Sequence, residues 1–225
     1  MQGSGNMILK NFIAFEGIDG SGTTTQLNLL KKSYPAILLT AEPTSSATGQ
    51  FLRRMLSGEF AVSTRTAAFL FAADRCEHLF GKLICQDGRL TTGVTEACAS
   101  GTVVLSDRYL FSSLAYQGED DVRDLTVRLN KSFPLPELVV YFQLSPAAAL
   151  ERVCSRGGKR EIYETLSTLQ AVSSRYDAIL STYEGKDASD GMQVVRVDAS
   201  GTVDVVAREL SCALLPFLSR TIGHQ

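Results

Sequence analysis

Short apolar runs alternate with longer stretches of helical character along this chain, and no other feature restricts its fold as much. Residues 11–16 (NFIAFE, closed by Gly17), 36–40, 103–106, 138–144 and 194–197 read as strands. Residues 23–32 offer Leu27, Leu29 and Leu30 for packing as a helix, and 64–86 offer Ala67, Leu70, Phe71 and Leu79. Residues 92–99 read as a helix closing at Gly101, and 146–156, 166–183 and 203–218 as three more. Strands separated by helices of this length pair in parallel through right-handed crossovers. Strands that are apolar almost throughout belong in a sheet covered by helices on both faces. The expectation is one α/β domain over residues 1–225, long enough to bury a core without disulfides or metal staples.

Charge and cysteine usage narrow the function classes. A net charge of -2 leaves no basic stripe of the kind nucleic acid requires, so no nucleic-acid partner is expected. Local basic clusters can still serve a small anion inside an acidic protein. Cys76, Cys85, Cys98, Cys154 and Cys212 are odd in number and none stand two apart, which argues against a disulfide framework or a zinc ribbon. They read as reduced and mostly buried. No apolar run is long enough to span a bilayer, so no membrane partner is expected. Residues 1–7 read as a loose N-terminus without a secretory core, with Met7 an alternative initiator, and the expected compartment is cytoplasmic. Residues 155–159, small and basic, and 184–191, polar and glycine-bounded, read as mobile connections.

The first strand runs into Gly17-Ile18-Asp19-Gly20-Ser21-Gly22-Thr23-Thr24-Thr25, and a helix follows. A phosphate-binding loop has the pattern G-x-x-x-x-G-K-[ST] in that setting. Gly17 and Gly22 take the glycine positions and Thr24 the hydroxyl position. Glycines let successive backbone N–H groups curl around an anion. The helix that starts there adds the positive end of its dipole. Every residue from Gly17 to Thr25 is therefore a candidate contact for the phosphates of a nucleotide, and the Thr24 hydroxyl can ligate Mg²⁺. Thr23, however, stands where the lysine belongs. Threonine carries no charge and is too short to bridge the β- and γ-phosphates. Either catalysis is lost or other cations cover the gap.

Taken in order, several blocks resemble the thymidylate kinases. They are Phe15-Glu16-Gly17-Ile18-Asp19-Gly20-Ser21-Gly22 with Thr24-Thr25-Gln26; Glu42-Pro43 after the second strand; Leu70-Phe71-Ala72-Ala73-Asp74-Arg75; the stretch from Asp107-Arg108 to Ala115-Tyr116-Gln117; and Val197-Asp198-Ala199. The Asp107 to Gln117 block, D-R-x-x-x-S-x-x-A-Y-Q, is the most specific, and the likeness runs from about Ile8 to Leu218. It implies a P-loop fold with five parallel strands in the order 2-3-1-4-5. It also implies transfer of the γ-phosphoryl group of ATP to dTMP with Mg²⁺, and a homodimer that uses the helix from Thr64 to Gln86.

The same resemblance assigns the site. Arg108 would hold the acceptor phosphate, and Asp19 would sit near the attacking oxygen and the metal. An arginine can fork a phosphate through two N–H donors, and ligands of open parallel sheets lie beyond the carboxyl ends of the strands. Arg53 resembles a second acceptor-side arginine. Phe71 and Arg75 are four apart and share a helix face. Phe71 alone reads as core packing; the resemblance makes it the ring that stacks thymine, with Arg75 donating to O4. Glu42, Ser112, Ser113 and Gln117 complete the dTMP contacts, Ser113 and Gln117 at the base edge. Tyr116 would crowd the sugar 2′ position. The loop residues Gly20 and Ser21 carry no charge, so the chain resembles members whose catalytic arginine comes from a lid, here residues 152–164 with Arg156 and Arg160. Glu164 resembles a lid glutamate near the metal, beside Thr24 and Asp19. His78 and His224 show no ligand spacing.

Overall fold

The computed structural model describes residues 7–84, 90–118, 122–155, 161–184 and 191–219. In chain order its elements begin with β1 (Ile8–Gly17), α1 (Thr23–Ser33), β2 (Leu38–Ala41), α2 (Ala47–Leu56) and α3 (Thr64–Phe80). Next come β3 (Lys82–Ile84), β4 (Leu90–Thr92), α4 (Val94–Ala99), β5 (Val104–Asp107), α5 (Leu110–Tyr116) and α6 (Arg123–Asn130). The chain closes with β6 (Leu135–Gln143), α7 (Pro146–Ser155), α8 (Leu166–Leu180), β7 (Gln193–Asp198) and α9 (Val203–Leu218).

The main sheet has the order β2-β5-β1-β6-β7 with every pairing parallel. Counting only these five strands along the chain, that is the expected order 2-3-1-4-5. β1 is central, and Phe12, Ile13, Ala14 and Phe15 are wholly buried, as a strand covered on both faces requires. β6 repeats the pattern with Leu138, Val139, Val140 and Phe142. The register of β1 against β6 shifts between Leu9 and Ile13, where Asn11 takes a positive φ of 63°. Asparagine adopts that region more readily than most residues, and the Asn11 N–H is held by Glu137 Oε2 at 2.8 Å.

A second apolar cluster, Leu52, Met55, Leu56 and Ala67 with Phe60, Leu70, Phe71 and Tyr163 against it, packs α2 onto α3 beside the sheet. Ser46 caps α2 through Gly49 N, and Ser63 caps α3 through Thr66 N. Several local expectations are corrected. The helix expected over 64–86 ends at Phe80, and residues 82–84 and 90–92 form an antiparallel pair rather than helix ends. Gly81 ends α3: a Cβ there would stand 2.2 Å from Glu77 Oε1 and 2.6 Å from its carbonyl oxygen. The helix expected from residue 92 begins at Val94. α2, α5 and α6 add short helices to those expected. Of the described cysteines only Cys98 is buried; Cys76, Cys154 and Cys212 are exposed, lying on outward parts of their helices. Among the described residues no helix is long and apolar enough to cross a membrane.

Candidate active site

The carboxyl ends of β1, β2 and β5 open into a cleft of about 490 Å³, where ligands of parallel sheets bind. Its floor is the loop between β1 and α1. Gly20 and Gly22 have φ of 91° and 95°, a region that disfavours any side chain. A Cβ on Gly20 would also lie 2.4 Å from the Ala149 carbonyl oxygen of α7. α1 begins with no side-chain cap, so its first N–H groups remain available to an anion. Thr23 is 8 % exposed and lines the cleft. The Thr24 hydroxyl donates to Asp107 Oδ2 at the end of β5, in a short contact.

Arg108 follows β5 with φ of 74°, a strained value for a residue with a side chain, costing about 1–3 kcal/mol. Its N–H donates to Phe15 O at 2.9 Å, and its carbonyl accepts from Ser106 Oγ at 2.7 Å. The side chain donates through Nη1 to Gly17 O at 2.9 Å and Ser112 Oγ at 3.1 Å, and through Nη2 to Asp19 Oδ1 at 2.5 Å. The guanidinium also lies 5.2 Å from the ring centroid of Tyr116. The Tyr116 hydroxyl donates to Asp19 Oδ2 at 3.0 Å and accepts from the Asp19 N–H at 3.2 Å. Burial pushes this phenol well above the ordinary tyrosine range, so it stays a donor.

Between α3 and α5 the wall is a buried polar network. Glu42 Oε2 accepts from Arg75 Nε at 3.0 Å and Nη2 at 2.6 Å. Arg75 also donates through Nη2 to Ser113 Oγ at 3.1 Å and through Nη1 to Asn130 Oδ1 in a short bond. Four of the five guanidinium N–H donors are thus engaged. Glu42 Oε1 pairs with His78 Nδ1 at 2.8 Å, and His78 Nε2 pairs with Thr40 Oγ1 at 2.8 Å. His78, which shows no ligand spacing in the sequence, therefore belongs to this buried network. Asp74 anchors the turn after β2, accepting from Thr44 N, Thr44 Oγ1 and Thr48 Oγ1 at 2.8, 2.6 and 2.7 Å. Arg53 donates to the Pro43 carbonyl. Phe71, half-buried, faces the cleft beside Arg75. Gln117 is buried on the same wall, and neither end of its amide has a partner among the described residues.

Glu161, Tyr163 and Glu164 close the far side. Glu164 Oε2 accepts from the Glu161 N–H at 2.8 Å. Burial, with the charges of Asp19 and Glu164, raises the Glu161 carboxyl above its ordinary value. Arg156 and Arg160 lie outside the described residues, as do residues 185–190 and His224. The structure thus gathers residues 18–20 and 22–25 of the loop with Glu42, Arg53, Phe71, Arg75, Arg108, Ser112, Ser113, Tyr116, Gln117 and Glu164 around one cleft, while Gly17 and the buried Ser21 do not line it.

Asp107, Glu16 and Glu161 are acidic residues of this site that the sequence reading does not single out as site residues, and Glu161 carries no motif signal. Asp107 stands inside the quoted signature, and its place at a strand end was the available signal. Glu16 stands inside the loop block, and a lone carboxylate in an apolar strand run was its signal. The Glu16 carboxylate is fully buried. Oε1 accepts from the Tyr109 N–H at 2.9 Å, and Oε2 accepts from Ser112 Oγ at 2.7 Å and Tyr176 Oη at 2.8 Å. Burial pushes its carboxyl up to about 7, against the lowering effects of Ser112, Arg108, Tyr176 and the Tyr109 N–H.

Comparison with known proteins bears on the same residues. The family model described as thymidylate kinase matches residues 15–209, a span that holds every described wall of the cleft. A Treponema pallidum protein that carries a provisional thymidylate kinase name is 38 % identical over 202 residues, covering 88 % of this chain and 92 % of that one. The thymidylate kinase of Leptospira borgpetersenii is 34 % identical over 206 residues, covering 88 % and 90 %. That of Leptospira interrogans serovar copenhageni is 37 % identical over 177 residues, covering 75 % and 81 %. With the loop, the strand-end arginine and the base-side helix all inside the matched span, the chain belongs to the thymidylate kinase family.

Proposed function

We propose that the protein transfers the γ-phosphoryl group of ATP to dTMP, giving dTDP and ADP, as a single domain over residues 1–225. The observation that carries the acceptor is the Gln117 amide, buried in the cleft wall with both ends unpaired among the described residues. Buried polar groups are rarely left so without a ligand or water to meet them. A thymine edge offers a carbonyl and an N–H side by side, which suits an amide. The remaining N–H of Arg75 suits O4, and Phe71 supplies a ring for stacking. Glu42 fixes the Arg75 guanidinium, and Ser113 supports it from α5.

Phosphoryl transfer needs positioning and charge neutralisation more than covalent chemistry. In this reading Arg108 binds the acceptor phosphate, with Ser112 orienting its guanidinium, and Arg53 lies on the same side. Asp19 pairs with Arg108 and faces the attacking oxygen. Residues 17–25 bind the ATP phosphates through backbone N–H groups. Tyr116 stands over Asp19, where it would crowd a ribose 2′-hydroxyl. The lid, residues 152–164, brings Arg156 and Arg160 to the transferring group and offsets the charge missing at Thr23.

Thr24 and Asp107 suit Mg²⁺, since they set two oxygen donors together at the mouth of the loop. Among the described residues no group of three acidic, histidine or cysteine side chains cages a metal. Phosphate oxygens and water would complete the shell of an ion held there. Asp19 and Glu164 line the same cleft and are the further candidates. Bound there, the ion would neutralise charge on the ATP phosphates. A second copy of the chain is the proposed cover for α3, whose Phe69 and Phe80 are 53 % and 59 % exposed.

The test is release of ADP with a panel of acceptors. dTMP is expected to exceed dCMP by about 10–100-fold in kcat/KM, the 1–3 kcal/mol cost of facing a cytosine amino group with the Arg75 donor. Equal rates on dCMP would remove the thymine assignment. Binding of both nucleotides with no dTDP over hours would show that the loss of the lysine at Thr23 ended catalysis.

A further inference from the structure

Arg108 is held in its strained conformation from both sides by β1. Its own N–H reaches Phe15 O, and the N–H of the next residue, Tyr109, reaches the carboxylate of Glu16 at 2.9 Å. The same carboxylate takes the Ser112 hydroxyl at 2.7 Å. That hydroxyl also lies 2.8 Å from the Tyr176 hydroxyl; with its one proton given within this cluster, an oxygen lone pair accepts from Arg108 Nη1 at 3.1 Å. Tyr176 from α8 caps the carboxylate with a third hydrogen bond of 2.8 Å. One buried group therefore governs both the backbone turn that aims Arg108 and the side chain that orients its guanidinium. An acidic group buried in the central strand is costly unless it is so bonded, and the hydrogen bonds of this one come from residues that surround Arg108.

We propose that Glu16 is the positioning residue that holds Arg108 in the cleft to receive the acceptor's phosphate. It does not touch the nucleotide; it acts through Tyr109 and Ser112. The proposal rests on the reading of Arg108 as the phosphate-binding group, and the test separates the two.

Thymidine and dTMP share base and sugar and differ in the phosphate. The ratio of their dissociation constants, measured by calorimetry, isolates what Arg108 contributes. In wild type dTMP is expected to bind more tightly than thymidine, and Arg108→Ala should reduce that advantage. Failure of either would overturn the reading of Arg108 itself. Glu16→Met keeps the volume but removes both acceptors, and it should cut the dTMP advantage by about tenfold, or 1.4 kcal/mol, while thymidine binding stays near wild type. Glu16→Gln can still accept from the Tyr109 N–H and should stay within about threefold of wild type. In an Arg108→Ala background Glu16→Met should change the ratio no further. Equal weakening of thymidine and dTMP, or an unchanged ratio in a folded Glu16→Met protein, would overturn the proposal. A readout on wild-type protein guards against a variant that fails to fold. The carboxyl ¹³C resonance of Glu16, identified by its loss in Glu16→Gln, should move when dTMP binds and stay still with thymidine. Equal response to the two ligands would likewise overturn it.

Discussion

Glu16 makes a quantitative demand on how stability varies with pH. Its carboxyl is wholly buried, and burial raises it from an ordinary 4.5 to about 7. In the unfolded chain it ionises as an ordinary glutamate. The native state therefore keeps a proton that the unfolded state releases, and stability falls with rising pH over that interval. The contribution is complete below about pH 4.5 and is lost as pH climbs through about 7. At about 1.4 kcal/mol per pH interval of one, the loss is on the order of 3 kcal/mol once both states are ionised. Glu16→Gln removes the titration and keeps the packing. Urea unfolding at fixed protein concentration, at about pH 5 and about pH 8, would compare the two proteins. Because part of the loss has already occurred by pH 5, the stability of Glu16→Gln relative to wild type should grow by about 2–3 kcal/mol between those points. Unfolding free energies that run parallel for the two proteins across that range would refute the argument. They would mean that hydrogen bonds from Ser112, Tyr176 and the Tyr109 N–H hold Glu16 ionised at its ordinary value.

Thr23→Lys should restore a cation beside the ATP phosphates and raise kcat/KM for ATP by about tenfold, or ~1.4 kcal/mol; no gain would mean that the lid already supplies that charge in full. Arg156→Ala and Arg160→Ala should each lower kcat and kcat/KM together by about a hundredfold while dTMP affinity holds, because the charge they meet develops only during transfer. Wild-type turnover in both variants would take the lid arginines out of the mechanism.

What the sequence determined by itself was local in origin. Apolar runs such as NFIAFE and LVVYFQL announced strands buried on both faces, and the alternation with helices left a parallel sheet as the consistent arrangement. The glycines of the 17–22 loop were legible because a backbone with φ of 91° and 95° has few other tenants. The end of α3 was not legible, since the residues after Gly81 are as compatible with helix as with strand until the β3–β4 pairing is formed.

Only the tertiary structure decided which polar groups meet. Thr24 and Asp107 are 83 residues apart, and Tyr176 reaches Glu16 across 160. No spacing rule spans such distances; the first closes because parallel pairing sets the carboxyl ends of β1 and β5 side by side, and the second because α8 packs against α5 beside β1. His78 shows the same limit. It has no ligand spacing in the sequence, yet α3 turns it inward onto Glu42. Glu16 was visible as a carboxylate in an apolar strand, but its pull on Arg108 depends on burial and on three donors from elsewhere in the chain. Charge in a low-dielectric interior is governed by such neighbours, and neighbours are a property of the fold.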